Sequence, residues 1–458
     1  MSRIIRSIFG YYCYFLDTQH LILDTNHMKF IVNGGRALNG EIKLQGSKNA
    51  ATKMMVASLL TDEECIFENF PQIGDVEITA EFFRSIGSGI NINSNEAVLK
   101  TPEIKNFKVE SLGRVNRIPI LTLGPLLARF GKAQVPFLGG DKIGSRPVDI
   151  HLAALKTLGA QIEILENYFL ATAPEGLKGA KINFRYPSVG ATENAIFAAV
   201  LANGRTIIKN AAIEPEIIDL IEMLQNMGAI IGLGADRTIY IDGVKKLGGV
   251  RRKVMPDRNE AASFACLAAA SKGNKIKIKE AIHNHLITFL NEFRRVGGEY
   301  RVENDGIVFW RSDGLSAIEL ETDTHPGFMT DWQQPFAILL TQANSISIIH
   351  ETVYENRFEY IKDLNFMGAN IKVFSKCLGE FPCRFNGEGQ YHSAVISGPT
   401  PLFGRNVKVS DLRAGMAHLT AALIAKGESI IEGIEEIDRG YEKIDERLKN
   451  LGAEIVRV

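Results

Sequence analysis

Residues Gly139 to His151 read Gly-Gly-Asp-Lys-Ile-Gly-Ser-Arg-Pro-Val-Asp-Ile-His, and these residue types could do chemistry. Three glycines within six residues let a backbone turn tightly and approach a ligand. The same loop holds an acid (Asp141), a lysine (Lys142) and an arginine before a proline (Arg146, Pro147). A carboxyl group beside fixed positive charge suits handling of a phosphorylated or carboxylated small molecule. An ordinary charged surface turn would use the same residues, so the loop needs support from the elements around it.

Those elements repeat. An amphipathic helix ending in an apolar residue and a glycine recurs at Gly87, Gly159, Gly228, Gly297, Gly368 and Gly452, at separations of 72, 69, 69, 71 and 84 residues. Each glycine suits a helix C-terminus that needs positive φ, and an alternating run beyond it reads as a strand. The chain therefore holds six units of about 70 residues, the last step lengthened by an insertion between Phe374 and Arg405. A second, Ala-rich helix keeps the same period, starting near Asn49, Arg117, Ala191, Asn259, Asp331 and Leu412. Apolar nearly all round, these helices belong in cores. Caps account for Ser188, Thr330, Asp331, Ser410 and Asp411 at their starts. Caps do not account for Lys48, Arg117 and Arg413, because a cation opposes the helix dipole there. A bound anion would resolve that conflict.

Length and composition agree with six units in two groups of three. The 458 residues exceed one ordinary core. With 45% hydrophobic and 23% charged residues, a formal net charge of −1 and a pI near 6.8, the chain reads as a soluble globular protein. No basic excess supports nucleic-acid binding. The run Arg251-Arg252-Lys253 reads as a solvated linker face. Gly248-Gly249 with that run marks a crossing between the groups, and the strand opening at Met28 is left over to close the second group. The expected division is 1–27 as an extension outside the repeats, 48–255 as the first three-unit domain, and 28–47 with 256–458 as the second. The apolar run within residues 8–16 is too short to span a bilayer.

The five cysteines (Cys13, Cys65, Cys266, Cys377, Cys383) show no zinc spacing and no disulfide framework, which suits a reducing cytoplasm. His283-Asn-His285 has no further ligands near in sequence. No metal site and no cofactor is expected.

With these residues in view, the chain resembles the enolpyruvyl transferases, and among them the branch acting on UDP-N-acetylglucosamine. The resemblance runs from Met28 to Val458. It rests on Gly46-Ser-Lys-Asn-Ala-Ala51, Leu123-Gly-Pro-Leu-Leu-Ala-Arg-Phe-Gly131, the loop Gly139 to His151, and Pro187-Ser-Val-Gly-Ala-Thr-Glu193. It continues in Pro256-Asp-Arg258, Glu351-Thr-Val-Tyr-Glu-Asn-Arg357, Asp411-Leu-Arg413 and Asp438-Arg-Gly-Tyr-Glu442. It implies an α/β fold of two inverse α/β barrels, each of three βαβ-containing units, with the active site between them. It also implies transfer of the enolpyruvyl group of phosphoenolpyruvate to the sugar 3-hydroxyl, with loss of phosphate through a tetrahedral intermediate and no metal.

By motif position the resemblance assigns Lys48, Arg146 and Arg439 to phosphoenolpyruvate, with Asn49 beside them and Arg357 and Arg413 as further cations. It assigns Arg117, the segment Arg146, Pro147, Val148, Asp149 and Ile150, and Ser188, Val189 and Gly190 to the nucleotide. Asp331 would take the proton of the 3-hydroxyl, and Val353 would touch the sugar nucleotide. Many members carry cysteine where this chain has Asp141. A carboxylic acid there can donate a proton when its pKa is raised, but it cannot form the thioether adduct of epoxide inhibitors such as fosfomycin. Two other readings are an enolpyruvylshikimate-phosphate synthase-like enzyme and an inactive sugar-nucleotide-binding paralogue. The Arg146 to Ile150 loop argues against the first. The retained Lys48, Asp331, Arg413 and Arg439 argue against the second.

Overall fold

The computed structural model describes residues 28–108, 116–137, 148–380 and 382–458. Asp141, Lys142, Arg146 and Pro147, and the extension 1–27, lie outside the described residues. Within them the chain forms six small sheets. Each sheet is built alike. A long buried helix leads into a strand, an amphipathic helix follows, and a tight turn leads into a hairpin strand antiparallel to its neighbour. In five of the six a short strand adds in parallel at the edge; in the sheet of Lys132–Pro136, Tyr168–Thr172 and Gln161–Ile164 an isolated bridge from Lys108 to Gln134 stands there among the described residues. In the first sheet the strands run Val250–Lys253, Glu64–Glu68, Glu96–Lys100, Gly89–Asn93. The first pair is parallel and the others antiparallel.

All six repeat glycines have φ between +97° and +112°, a region costly for side chains with a Cβ. The strand after each glycine is an outer strand of its sheet, a hairpin strand in five cases and, after Gly452, the partner of Lys29–Asn33. The buried helices form two cores. One gathers Ala-rich faces of Lys48–Ser58 and Val189–Ala199 with the sheets between 64 and 255. The other gathers Arg258–Ala270, Gln333–Thr341 and Leu412–Ile424, with Phe30 and Val32 among its buried residues. The last two helices pack on each other.

The connectivity between the cores is double. The strand Lys29–Asn33 sits between Glu428–Glu432 and Glu454–Arg457. Asn39–Lys43 adds in parallel to Lys275–Lys279, and Val250–Lys253 adds in parallel to Glu64–Glu68. The chain thus crosses from one core to the other twice. The crossings lie side by side, with Ser47 N–H donating to the Met255 carbonyl at 2.7 Å and Asp257 N–H to Gln45 at 2.9 Å. Gly46 makes this possible, because a Cβ there would stand 1.9 Å from the Asn69 carbonyl oxygen.

Arg251, Arg252 and Lys253 are a correction. They form an edge strand rather than a linker face, and each cation meets carboxylates: Arg251 those of Glu68 and Glu96, Arg252 those of Asp219 and Glu222, Lys253 that of Glu280. The lengthened unit places its extra residues in 375–392, the hairpin loop between Asn370–Phe374 and Ser393–Gly398.

Candidate active site

The site begins with helix starts. Ser47 caps Lys48–Ser58 by accepting from Ala50 N–H at 3.4 Å, and Ser188 caps Val189–Ala199 through Ala191 N–H at 3.4 Å. Asp257 accepts from Asn259 N–H at 2.8 Å, and Asp411 from Arg413 N–H at 2.9 Å. These side chains satisfy orphan donors of the first turn. Three expected caps are corrected, Ser410 because Asp411 takes the cap position of its helix. Thr330 instead donates its hydroxyl to Glu351 at 2.9 Å, and Asp331 turns its carboxylate to two arginines.

Two of the cations that opposed the dipole at these starts, Lys48 and Arg413, are met by carboxylates from elsewhere. Arg258 forms a bidentate pair with Glu216 at 2.8 and 3.0 Å, with side chains 1% and 4% exposed. It joins the two cores and is closed to solvent, so its role is structural. The other two groupings stay partly open. Lys48 Nζ lies 2.9 Å from one Asp75 oxygen, and Arg439 Nε lies 2.9 Å from the other. Arg357 Nη2 donates to Asp331 Oδ1 at 2.8 Å and Arg413 Nε to Asp331 Oδ2 at 3.3 Å. The Asp331 side chain is 20% exposed, which leaves it reachable.

Electrostatics follows from this geometry. Burial pushes the Asp331 carboxyl up, but Arg413 and Arg357 outweigh it and, with Lys48, hold it well below the usual carboxylate range. Lys48 therefore acts on both groupings, and the four cations and two carboxylates form one site. Asp75 behaves alike: burial raises it, and Lys48 and Arg439 bring it below its ordinary value. Arg413 also donates to the Tyr441 hydroxyl at 3.1 Å, which holds its fork in place. Glu351, fully buried, accepts from Val353 N–H at 2.8 Å and Tyr354 N–H at 3.0 Å and so shapes the turn that presents Val353.

A second part of the site lies on the first core. Arg117 sits at the start of Ile118–Leu121, with Pro119 in its first turn. Pro is well placed there, since its missing N–H was an orphan in any case. Val148 precedes the helix Asp149–Thr157, whose His151 packs under the start of Val189–Ala199. A Cβ on Gly190 would meet the His151 ring at 3.0 Å, so the bare backbone is needed for this approach. Burial and then Arg117 depress His151 to about 3, which keeps the imidazole neutral. Asp149 pairs with Arg185 at the surface and Ile150 is half-buried. Asn49 follows Lys48 in its first turn. Tyr186, just before Ser188, lies under the Arg384 guanidinium at 4.6 Å, and Arg384 also donates to the Val353 carbonyl. This contact brings the Ser188 helix start of the first core against the Val353 turn of the second.

The resemblance pointed to Lys48, Asp331, Arg357, Arg413 and Arg439, and the structure brings these together. It missed Asp75, Glu351, Tyr441 and Arg384. Asp75 sits in the first turn of an unremarkable amphipathic helix, Gly74–Ser85, and nothing local marks it.

A family model described as EPSP synthase (3-phosphoshikimate 1-carboxyvinyltransferase) matches residues 32–448. The chain belongs to this family of carboxyvinyl, or enolpyruvyl, transferases. A UDP-N-acetylglucosamine 1-carboxyvinyltransferase from Protochlamydia amoebophila (strain UWE25) is 49% identical over 433 residues, covering 93% of each chain. One of the same name from Chlamydia pneumoniae is 48% identical over 430 residues, covering 93% of this chain and 94% of the relative. One from Pelagibacter ubique (strain HTCC1062) is 42% identical, covering 94% and 99%. The fold is that of the enolpyruvyl transferase NikO from Streptomyces tendae, with a TM-score of 0.83 at 21% identity over 94% of this chain and 99% of that one. EPSP synthase from Acinetobacter baumannii matches at a TM-score of 0.69 and 18% identity, over 94% and 99%. The protein is a transferase enzyme of this family. The described residues contain no helix long and apolar enough to cross a membrane.

Proposed function

We propose that the protein transfers the enolpyruvyl group of phosphoenolpyruvate to the 3-hydroxyl of UDP-N-acetylglucosamine and releases phosphate, the first committed step of peptidoglycan synthesis. The observation that carries this reading is the joined pair of groupings, Lys48 and Arg439 on Asp75, and Arg357 and Arg413 on Asp331. Phosphoenolpyruvate brings a phosphate and a carboxylate, and the acceptor brings a diphosphate. Cations held in advance by carboxylates can stabilise the charge that develops as phosphate leaves, without reorganising.

In this reading Lys48, Asn49, Arg146 and Arg439 hold phosphoenolpyruvate. Arg117, residues 146–150, Ser188 to Gly190 and Val353 hold the nucleotide. Asp331, ionised at neutral pH, takes the proton of the 3-hydroxyl as that oxygen bonds to C2 of phosphoenolpyruvate. A proton is delivered to C3, with Asp141 as donor, and the tetrahedral adduct forms. Loss of a proton from C3 and of phosphate from C2 then yields the enolpyruvyl ether. Arg357 and Arg413 depress the proton affinity of Asp331 in the free enzyme. Substrate anions that draw on the same cations raise it when the transfer begins. Residues 48–255 form one domain and 28–47 with 256–458 the other, and the active site lies between them. A cytoplasmic location and a part in cell shape and division belong to the same reading.

A colorimetric phosphate assay tests the function. Phosphate should appear only when phosphoenolpyruvate and UDP-N-acetylglucosamine are both present. Equal release with shikimate 3-phosphate as acceptor would move the protein to the sister activity, and no release with either would make it a binder.

A further inference from the structure

The lengthened hairpin of the fifth sheet gathers four metal-ligating side chains away from the cleft cations. His350 ends the strand Ser345–His350, and His392 immediately precedes Ser393–Gly398. The register pairs Ser393 with both His350 and Phe374, so these three residues lie side by side at one end of the sheet. Loop 375–392 leaves and returns at that end and folds Cys377 and Cys383 over it. One ligand atom from each of His350, Cys377, Cys383 and His392 lies within 4.8 Å of all the others.

The details are those of a prepared tetrahedron. The Cys377 and Cys383 sulfurs are 3.7 Å apart, and Cys377 Sγ is 3.4 Å from His392 Nε2. With Zn–S near 2.3 Å and Zn–N near 2.0–2.1 Å, tetrahedral edges come to about 3.8 Å for S–S and about 3.6 Å for S–N. His392 Nδ1 lies 2.8 Å from the Gln390 carbonyl oxygen. Donation there fixes the tautomer and turns the Nε2 lone pair toward the sulfurs, as metal-ligating histidines require. Backbone N–H groups point at both sulfurs, Cys383 N–H at Cys377 Sγ (3.3 Å) and Phe385 N–H at Cys383 Sγ (3.4 Å).

His350 supplies the independent observation. It is fully buried, and neither ring nitrogen has a hydrogen-bond partner of acceptable geometry. Glu321 Oε2 approaches Nδ1 to 3.3 Å, a carboxylate beside a ligand histidine. Burying an unsatisfied imidazole is costly, and native structures avoid it. The backbone crowds in to seal the site: a Cβ at Gly379 would stand 2.0 Å from His350 Nδ1 and 2.1 Å from the Glu321 carboxylate.

We propose that His350, Cys377, Cys383 and His392 bind one zinc ion as a closed structural site. Two thiolates and two imidazoles select a borderline-soft divalent ion with tetrahedral preference, and four protein ligands leave no open position for catalysis. The ion fastens the loop that carries Arg384 to Val353 and Tyr186. It therefore supports the sugar-nucleotide side of the cleft without entering the reaction.

The test uses the full chain purified under reducing conditions, incubated with zinc and dialysed against a weak chelator. One zinc per chain is expected by elemental analysis. Cys377→Ser and Cys383→Ser should each lose it, and Cys65→Ser, at a buried site elsewhere, should keep it. Cobalt exchanged for zinc should show the thiolate charge-transfer and tetrahedral d–d absorption bands, absent in Cys377→Ser. Should those variants fold poorly, modification of the wild-type thiols with a mercurial, read by a zinc indicator, should release one ion per chain. Folded, reduced chain that holds no stoichiometric zinc would overturn the proposal. So would zinc retained in the Cys377→Ser, Cys383→Ser double variant, or a Cys377–Cys383 disulfide as the stable state in the presence of zinc.

Discussion

Replacing Asp331 by asparagine separates the two things this carboxylate does. It accepts from Arg357 at 2.8 Å and from Arg413 at 3.3 Å, and it is held ionised by them. An amide can accept from one guanidinium, but its NH₂ then faces the other as a second donor. Breaking a buried ion pair costs about 3–5 kcal/mol, and a side chain one-fifth exposed recovers part of that through water, leaving about 1–3 kcal/mol. The variant should therefore fold but melt lower. Two arginines without their counterion should bind anions better, so phosphate should raise the melting temperature of the variant more than that of the wild type. Catalysis should suffer far more than stability. General-base removal costs ~10²–10⁴-fold, or about 3–5 kcal/mol of barrier. Steady-state phosphate release gives kcat, and calorimetric titration gives the sugar-nucleotide Kd. The expected result is kcat reduced at least ~100-fold, with Kd within a few-fold. Turnover near wild type would remove Asp331 as base. A Kd weakened as much as kcat would make it a binding residue only.

Two further outcomes follow from single side chains. Fosfomycin should leave activity intact after long preincubation, because a carboxylate is a weak nucleophile beside a thiolate. Asp141→Cys should gain time-dependent inactivation, and a covalent adduct on the unmutated chain, seen by intact mass, would contradict this. Glu193 is buried in the helix Val189–Ala199, and burial pushes its carboxyl up to about 7, against the partial opposition of Lys53. An acid raised in the folded state holds its proton there while the unfolded chain has lost it, so the contribution of Glu193 to stability should fall as pH rises from about 4.5 to about 7, while neutral His151 contributes in the opposite sense. A displacement of that size is worth about 3 kcal/mol at most. Glu193→Gln should flatten part of that slope and melt higher above pH 7 than the wild type. Glu214, also pushed up to about 7 by burial, should contribute in the same sense. Urea melts across this range that show the same slope in both proteins would refute the assignment.

The repeat was legible because its signals are local. A glycine at a helix end, an apolar stripe every 3.6 residues and an alternating strand each follow from neighbours in sequence, and all six copies stand where the pattern put them. Helix-start cations were legible for the same reason, since Lys48 and Arg413 conflict with a dipole only a turn away. Their partners were not. Asp75 and Asp331 reach Arg439 and Arg413 across 364 and 82 residues, and no local rule distinguishes these acids from caps or surface charges. The four side chains of the metal cluster are the sharpest case. Cys377 and Cys383 are six positions apart around a loop, His392 lies nine further on, and His350 comes from another strand. This spacing matches no familiar zinc pattern, and the expectation of no metal site followed from it. Strand pairing decides which residues share the end of a sheet, and pairing depends on the packing of both cores. The sequence determined the units and the residue types available for chemistry. Only the tertiary structure decided which charges meet, because it sets distances between residues that the chain holds far apart.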